Sequence, residues 1–299
     1  MTRTFVAGIE TGGTKILARL RDRDSNETVS EGKWVTGSAR DAARDLLNFL
    51  TSIPEGGRLA TVGLAAFGPL IIDRSSPDYG RVLTTTKPGW KDSNLRRALE
   101  DRLGVPVELN TDVNAAAIAE QALGAGEGLP SVAYVTVGTG IGAGLAINGR
   151  SLVGALHSEA GHLRLVRRSG DETPSVCSFH ADCAEGLASG PAVRCRLGEG
   201  RDLADDRAVQ DLVSDYLGQL AAALVLAWSP NRIVWGGGVI RAAPMIEEIE
   251  RRMRVSLGGY GVGPAAGQSG FCVPARLDNA GLEGALLMAK ASAAEQAYR

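Results

Sequence analysis

Asp112 stands in the segment Thr111–Asn114 (TDVN), between a strand-like run, Val105–Asn110, and a helical run from about Ala115 to Leu123. A carboxylate at that junction caps the helix, since Asp and Asn accept hydrogen bonds from the free N–H groups of a first turn. Its alternative is to face a ligand, because open α/β sheets bind ligands beyond the carboxyl ends of their strands. All three histidines, His157, His162 and His180, fall within 24 residues, and Cys177 and Cys183 join them. His162 with Cys177-x2-His180-x2-Cys183 is a thiolate and imidazole set suited to tetrahedral zinc, and four protein ligands would close the shell. Such a zinc shapes a loop and leaves the chemistry to other groups; chance clustering of unligated Cys and His is the alternative. Folding about the metal would bring Glu159 and Glu185 near one place, and a carboxylate suits a ligand with two adjacent hydroxyl donors, as a sugar has. Without a metal they read as surface acids.

Three glycine-rich turns offer a second kind of chemistry: Gly12-Gly13-Thr14-Lys15, Gly138-Thr139-Gly140-Ile141-Gly142 and Gly236-Gly237-Gly238. Successive backbone N–H groups in such turns can converge on phosphate oxygens. Glycine is 39 of 299 residues, nearly twice the usual share of about 7%. The surplus marks tight turns or backbone that approaches something closely. Gly8-x4-Gly13-Thr14-Lys15 misses the P-loop, because Thr and Lys are reversed and a strand follows. Gly138-x-Gly140-x-x-Ala143 fits the loose dinucleotide pattern, but Gly144–Asn148 after it reads as a strand where that motif requires a helix. One such turn alone is a plain hairpin; three in repeated surroundings favour a nucleotide.

The elements that must carry these groups alternate. Apolar runs Phe5–Ile9 and Ile16–Leu20 flank the first turn as a hairpin, and a third strand is expected at Thr28–Thr36. A helix from about Ala39 aligns Ala43, Leu46, Leu47 and Leu50. Leu59–Phe67 reads as a buried strand, and Asn94–Leu103 as an amphipathic helix. The pattern restarts with Ser131–Val137 and Gly144–Asn148 around the second turn, about 128 residues after the first. A long helix carrying Val209, Leu212, Val213, Tyr216, Leu217, Leu220 and Leu224 follows. Next come a strand at Arg232–Trp235, a helix with Met245, Ile246 and Ile249, a strand near Phe271–Leu277, and a last helix from about Gly281. Two α/β units that each open with a glycine-rich hairpin predict an actin-like, hexokinase-like (ribonuclease H-like) ATPase fold: two lobes with a cleft between them, from an ancient duplication.

Composition excludes several classes. Lys and Arg total 32 against 34 Asp and Glu, a net charge of −2, and their scatter leaves no footprint for nucleic acid. The N-terminus has no basic and apolar signal pattern. The most apolar helical stretch, Leu217–Trp228, is about 12 residues where a membrane span takes about 20. A soluble, cytoplasmic protein is expected. Four cysteines are no disulfide framework, and Cys195 and Cys272 read as buried small apolar residues. The charged run Glu247–Arg252 reads as a solvated face, the segments Arg167–Glu172 and Glu199–Arg207 as exposed loops, and Trp90 as a packing residue.

Taken together, Gly8–Lys15 (GIETGGTK), Ala66–Pro69 (AFGP), Thr85–Trp90 (TTKPGW), Thr111–Asn114, Gly138–Gly142 (GTGIG), His157–His162 (HSEAGH) and Cys177–Gly190 (CSFHADCAEGLASG) resemble the ROK family of repressors and sugar kinases. Within it they resemble the bacterial fructokinase branch, over nearly the whole chain. Glu10 where the family usually has Asp, and His180 where it usually has Cys, point to that branch. Thr111 replaces the Asn that usually precedes the family's catalytic Asp, which weakens a glucokinase assignment.

The resemblance implies an ATP-dependent hexose kinase that transfers the γ-phosphate to the 6-hydroxyl of fructose, with Asp112 as general base. Gly12, Gly13, Thr14, Lys15, Gly138, Thr139 and Gly140 would hold phosphates, Gly237 and Gly238 the adenosine, and Glu10 would stand near Mg²⁺, through water. Gly68, Pro69, Thr111, Asp112, Glu159, His162 and Glu185 would contact the sugar, and His162 would also bind zinc with Cys177, His180 and Cys183. The implied lobes are 1–117, with a final helix at about 281–299 packed back on it, and 118–280. Relatives are commonly homodimers. A transcriptional repressor of the family would carry a helix-turn-helix for which no room precedes Gly8. The remaining alternatives are mannose, glucose or N-acetylhexosamine as substrate, and a sugar-responsive regulator without catalysis.

Overall fold

The structure, a computed structural model, describes residues 3–85, 87–261 and 264–297. Thr86 of the TTKPGW segment and the last two residues of the expected C-terminal helix lie outside them. The chain divides into two units, Met1–Ala119 with Leu152–His157 and Asn279–Arg299, and Glu120–Ser151 with Ser158–Asp278.

In the first unit, β1 (Thr4–Thr11) and β2 (Lys15–Asp22) form the expected hairpin, and β3 (Thr28–Val35) pairs antiparallel with β2. Ser38 caps α1 (Ala39–Thr51) by accepting the Asp41 N–H, and the helix buries Ala39, Ala42, Leu46 and Leu50 at helical spacing. β4 (Arg58–Ala66) lies parallel to β1. Asn94 caps α2 (Leu95–Leu103), and β5 (Val107–Thr111) runs parallel to β4 before α3 (Asp112–Leu123). The sheet order is β3-β2-β1-β4-β5. Phe5, Ile9, Leu20, Leu46, Leu64 and Leu99 belong to one core, and Trp90 packs into it, as expected, 2% exposed.

In the second unit, β6 (Ser131–Val137) and β7 (Ile141–Ile147) form the second hairpin, with β8 (Arg150–Ser151) beside β7. Two short helices, α4 (Ala184–Ala188) and α5 (Gly190–Leu197), precede the 22-residue α6 (Arg207–Trp228). β9 (Arg232–Gly236), α7 (Gly238–Ala242), α8 (Ile246–Leu257), α9 (Pro264–Gly267) and β10 (Cys272–Pro274) complete the unit. The order is β10-β9-β6-β7-β8. Both sheets therefore have three antiparallel strands followed by two parallel ones, reached in the same sequence. That identity of topology is what a duplication leaves.

β7 begins at Ile141, three residues before the expected start, so Gly142 and Gly144 are strand residues and the turn is only Gly138–Gly140. Likewise α3 begins at Asp112, and β10 is shorter than Phe271–Leu277. α4 and α5 are too short to show a periodic stripe. Cys195 is exposed, because α5 turns Ala192, Val193 and Leu197 inward instead; Cys272 is buried as expected. Two groups assigned to solvent are buried. Glu250 accepts the Cys272 N–H at 2.7 Å, and Asp171 pairs with Arg196, each side chain 3% exposed.

α10 (Ala280–Ala297) belongs to the first unit and packs on β1 and β4. A Cβ on Gly63, in mid-β4, would fall 1.8 Å from the Ala285 carbonyl oxygen, and one on Gly284 would fall 1.9 Å from that of Ala115. Part of the glycine surplus thus serves close helix–sheet packing and not ligands. Among the described residues no helix is long and apolar enough to cross a membrane.

Candidate active site and metal cluster

Strand register brings the candidate groups of the first unit together. Thr11 of β1 lies beside Ala66 of β4, and Ala66 beside Thr111 of β5. These are the last residues of three parallel strands, so Gly12–Lys15, Phe67–Pro69 and Asp112 leave the sheet at one edge. The Phe67 N–H donates to the Thr11 carbonyl at 3.2 Å, tying two of the three together.

At the first turn the Gly12 N–H closes the hairpin on the Lys15 carbonyl at 2.9 Å, and Thr36 holds the Gly12 and Thr14 carbonyls. The Gly13 and Thr14 N–H groups donate to no described residue. Glu10, one residue before the end of β1, directs its carboxyl to the start of α10, 2.8 Å from where a Gly281 Cβ would be. Burial raises this carboxyl above the usual range, while the Lys15 charge and the Leu282 N–H pull it back.

Thr111 Oγ1 accepts the Asn114 N–H at 3.2 Å and is the cap of α3, the role that sequence offered to Asp112. Asp112 becomes the first helical residue, half-buried, with the Val113 N–H 2.9 Å from Oδ1. The positive end of a helix dipole favours a carboxylate there. Thr111 is 2% exposed, and its Oγ1 accepts as the cap.

The Gly68–Pro69 loop, whose peptide is cis, is held by two bonds. Leu83 N–H donates to the Pro69 carbonyl at 2.8 Å, and Leu70 N–H donates to His157 Nε2 at 3.1 Å. Sequence reading left His157 without a task, although it stands in the HSEAGH segment. Lys87 was likewise passed over inside TTKPGW. Its Nζ donates to the Gly13 carbonyl at 3.0 Å and lies 5.9 Å from the Phe67 ring centroid.

In the second unit, register sets Thr136 of β6 beside Gly236 of β9, so the Gly138–Gly140 turn and Gly237–Gly238 share an edge. The Gly138 N–H closes on the Gly140 carbonyl, and the Gly138 carbonyl accepts the Gly190 N–H at 2.7 Å. Glu185 of α4 accepts the Ile141 N–H through Oε2 at 3.0 Å. Thr139 and Gly140 N–H groups donate to no described residue, as in the first turn. Gly237, at φ +94°, would drive a Cβ to 2.3 Å from the Val137 carbonyl oxygen, so glycine is required there by the backbone itself.

His162, Cys177, His180 and Cys183 converge, with one donor atom from each within 4.8 Å of all the others. An antiparallel bridge at Arg164 and Cys183 joins the two segments, Leu165 N–H and Ala184 N–H each donating across it. Cys177 Sγ is 3.8 Å from His162 Nδ1 and 3.7 Å from His180 Nδ1, and Cys183 Sγ is 3.7 Å from His162 Nδ1. Usual Zn–S and Zn–N bond lengths imply about 3.6 Å between S and N corners of a tetrahedron, so the donors fit zinc. Burial and the adjacent Cys177 push the Cys183 thiol up to about 11, against the Gly186 N–H that favours thiolate. A cation is what would hold the Cys183 sulfur deprotonated at neutral pH.

The model of the ROK family matches residues 6–292. The chain is 34% identical to the fructokinase of Pediococcus pentosaceus, over 96% of this chain and 98% of that one. Among solved structures, the ROK hexokinase from Thermus thermophilus superposes with a TM-score of 0.75 at 30% identity, over 97% of this chain and 99% of that one. The ROK glucokinase from Streptomyces griseus, solved with glucose and AMPPNP, gives 0.75 at 26% identity, over 96% and 99%.

Proposed function

The chain belongs to the ROK family, and on that premise we propose that it is an ATP-dependent sugar kinase whose substrate is fructose, phosphorylated on the 6-hydroxyl. The observation that carries the reading is the common edge of β1, β4 and β5, where a turn with unspent N–H groups, the Gly68–Pro69 loop and Asp112 emerge together.

In the reaction the sugar oxygen attacks the γ-phosphorus, the bond to the β–γ bridging oxygen breaks, and ADP leaves with that electron pair. Asp112 takes the hydroxyl proton. The Gly13 and Thr14 N–H groups, and Thr139 and Gly140 in the second unit, hold phosphate oxygens, since phosphoryl transfer is chiefly positioning and charge stabilisation. Gly238, beside which a Cβ would meet nothing within 4 Å, lies against the adenosine with Gly237. Mg²⁺, entering with ATP, would neutralise charge on the phosphates, and Glu10 is the acid assigned to it, through water.

For the sugar we assign Gly68, Pro69, Glu159, Glu185 and His162. His162 Nδ1 faces the sulfurs, which leaves Nε2 for a hydroxyl, and Glu185 keeps Oε1 after Oε2 is spent on Ile141. Zinc would be held by His162, Cys177, His180 and Cys183 as a closed, shape-giving site. Fructose is favoured over glucose by the 34% identity to a fructokinase over 96% of this chain, against 26–33% to glucokinases over 62–82% of it. A kinase fed by ATP works in the cytoplasm.

The test is ADP release with ATP and Mg²⁺ against fructose, mannose, glucose and N-acetylglucosamine. Turnover fastest on fructose is the expected result. Preference for another hexose sinks the fructose assignment, and no turnover on any sugar by folded, zinc-loaded protein sinks the kinase.

A further inference from the structure

Lys87 has a charge that neither the fold nor the reaction above employs. Its ammonium carries three donors, and its protein acceptor among the described residues is the Gly13 carbonyl, at 3.0 Å. The two arginines of β2 beyond that turn are committed. Arg19 and Arg21 both pair with Glu283, and Arg19 also with Glu31. Lys15 is exposed, acts on the Glu10 carboxyl through its charge and reaches Asn279 Oδ1 at 3.5 Å, so its ammonium points to the far side of the turn from Lys87's anchor on the Gly13 carbonyl. Lys87 makes no ion pair among the described residues.

Its position is fixed from both sides. The chain after it is anchored: Trp90, three residues on, is buried, donates Nε1–H to the Gly37 carbonyl at 2.7 Å, and meets the Phe67 ring edge-on at 4.8 Å. The Lys87 N–H is held by Thr85 Oγ1 at 3.2 Å. Phe67 immediately precedes Gly68 and offers its ring to the ammonium, a contact that orders the side chain without neutralising it. The free charge therefore stands between the Gly12–Lys15 turn and the Phe67–Pro69 loop. In the proposed reaction those two groups hold the phosphate and the sugar.

We propose that Lys87 contacts the γ-phosphoryl group of ATP, so that its charge is met most strongly as negative charge moves onto the transferring oxygens. The inference rests on the kinase reading, and on geometry inside the first unit alone. A cation preset at that point costs no reorganisation during transfer, and removing one such group usually lowers kcat about 10²–10³-fold.

The experiment compares Lys87→Gln with Lys87→Arg. Glutamine can still donate to the Gly13 carbonyl but carries no charge, whereas arginine keeps the charge. The expected result is a kcat reduced about 10²–10³-fold in Lys87→Gln, with KM for the sugar and the melting temperature unchanged, and partial recovery in Lys87→Arg. Calorimetry supplies a second readout: affinity for the β,γ-imido analogue of ATP relative to ADP falls in Lys87→Gln and not in Lys87→Arg. If Lys87→Gln keeps wild-type kcat and the wild-type affinity ratio, Lys87 is only a tether for the turn and the proposal is overturned. Wild-type protein inactive on every sugar defeats the kinase reading instead, and the affinity ratio still decides whether Lys87 meets the γ-phosphate. Should Lys87→Gln fail to fold, Lys87→Met, which keeps the stem over Phe67, takes its place in both measurements.

Discussion

Thr111 Oγ1 receives the Asn114 N–H at 3.2 Å, and this one bond makes Thr111, not the proposed general base Asp112, the cap of α3. Two oxygen-bearing side chains stand side by side, and the buried one closes the helix. The half-buried Asp112 stands at the strand edge, as the first residue of α3. Asp112→Asn keeps the size and the Val113 contact but cannot take a proton. Its kcat should fall by about 10²–10⁴-fold, the usual share of a general base, with an unchanged melting temperature. Thr111→Ala should do the reverse, costing about 1 kcal/mol of stability through the lost cap. Thermal melts beside steady-state kinetics separate the two, and a stable Thr111→Ala would refute the division of labour.

The Cys/His cluster predicts stoichiometric zinc by elemental analysis of the purified chain. Cys183→Ser and His180→Ala should lose it and melt at lower temperature. Cys195→Ser should do neither, because Cys195 sits exposed on α5, outside the cluster. Prolonged chelation should lower the wild-type melting temperature toward that of Cys183→Ser. Full zinc content in both ligand variants would remove the cluster from the account.

Much of this organisation could be read from residue order, for physical reasons that also mark where reading fails. The hairpins, α1 and α6 announce themselves because their apolar spacing extends over several turns or strands. The Cys/His cluster was legible because Cys177, His180 and Cys183 are spaced two residues apart and His162 lies only fifteen residues before them. What stayed hidden depends on partners distant in sequence. Glu250 looks solvated until Cys272 N–H comes to it, and Asp171 until Arg196 and Tyr216 close on it. Lys87 and His157 meet Gly13 and Leu70 across 74 and 87 residues. No pattern within either segment records those meetings. The glycine surplus misled in part for the same reason, since Gly63 answers to α10, more than two hundred residues on.

That contact yields a stability prediction. Gly63 is flanked by β1 and β5 in the sheet order, so the strand cannot retreat sideways, and the atom it would strike is helix backbone. Gly63→Ala should therefore cost at least the roughly 1–3 kcal/mol typical of overpacking, visible as a lower denaturation midpoint. Gly138→Ala, at a position where a Cβ meets nothing within 4 Å, should melt close to wild type. Equal midpoints for the two variants would mean that α10 does not press on β4 as described.

Asp171 ties the loop before Cys177 to the core, and its charge makes that tie sensitive to acid. Burial pushes its carboxyl up, but the Tyr216 hydroxyl at 2.6 Å and the Arg196 guanidinium at 2.8 Å together outweigh burial and hold it at about 2. A carboxyl depressed in the folded state stabilises that state above its unfolded value, near 3.9. The contribution disappears as pH falls through the folded value. Asp171→Asn should thus be clearly less stable than wild type at pH about 7, where it leaves the buried Arg196 charge uncompensated. The gap should narrow as pH drops from about 4 toward 2. Denaturant midpoints measured at both ends of that range provide the check, and a gap that stays constant would show that the carboxylate's charge is not what holds the loop.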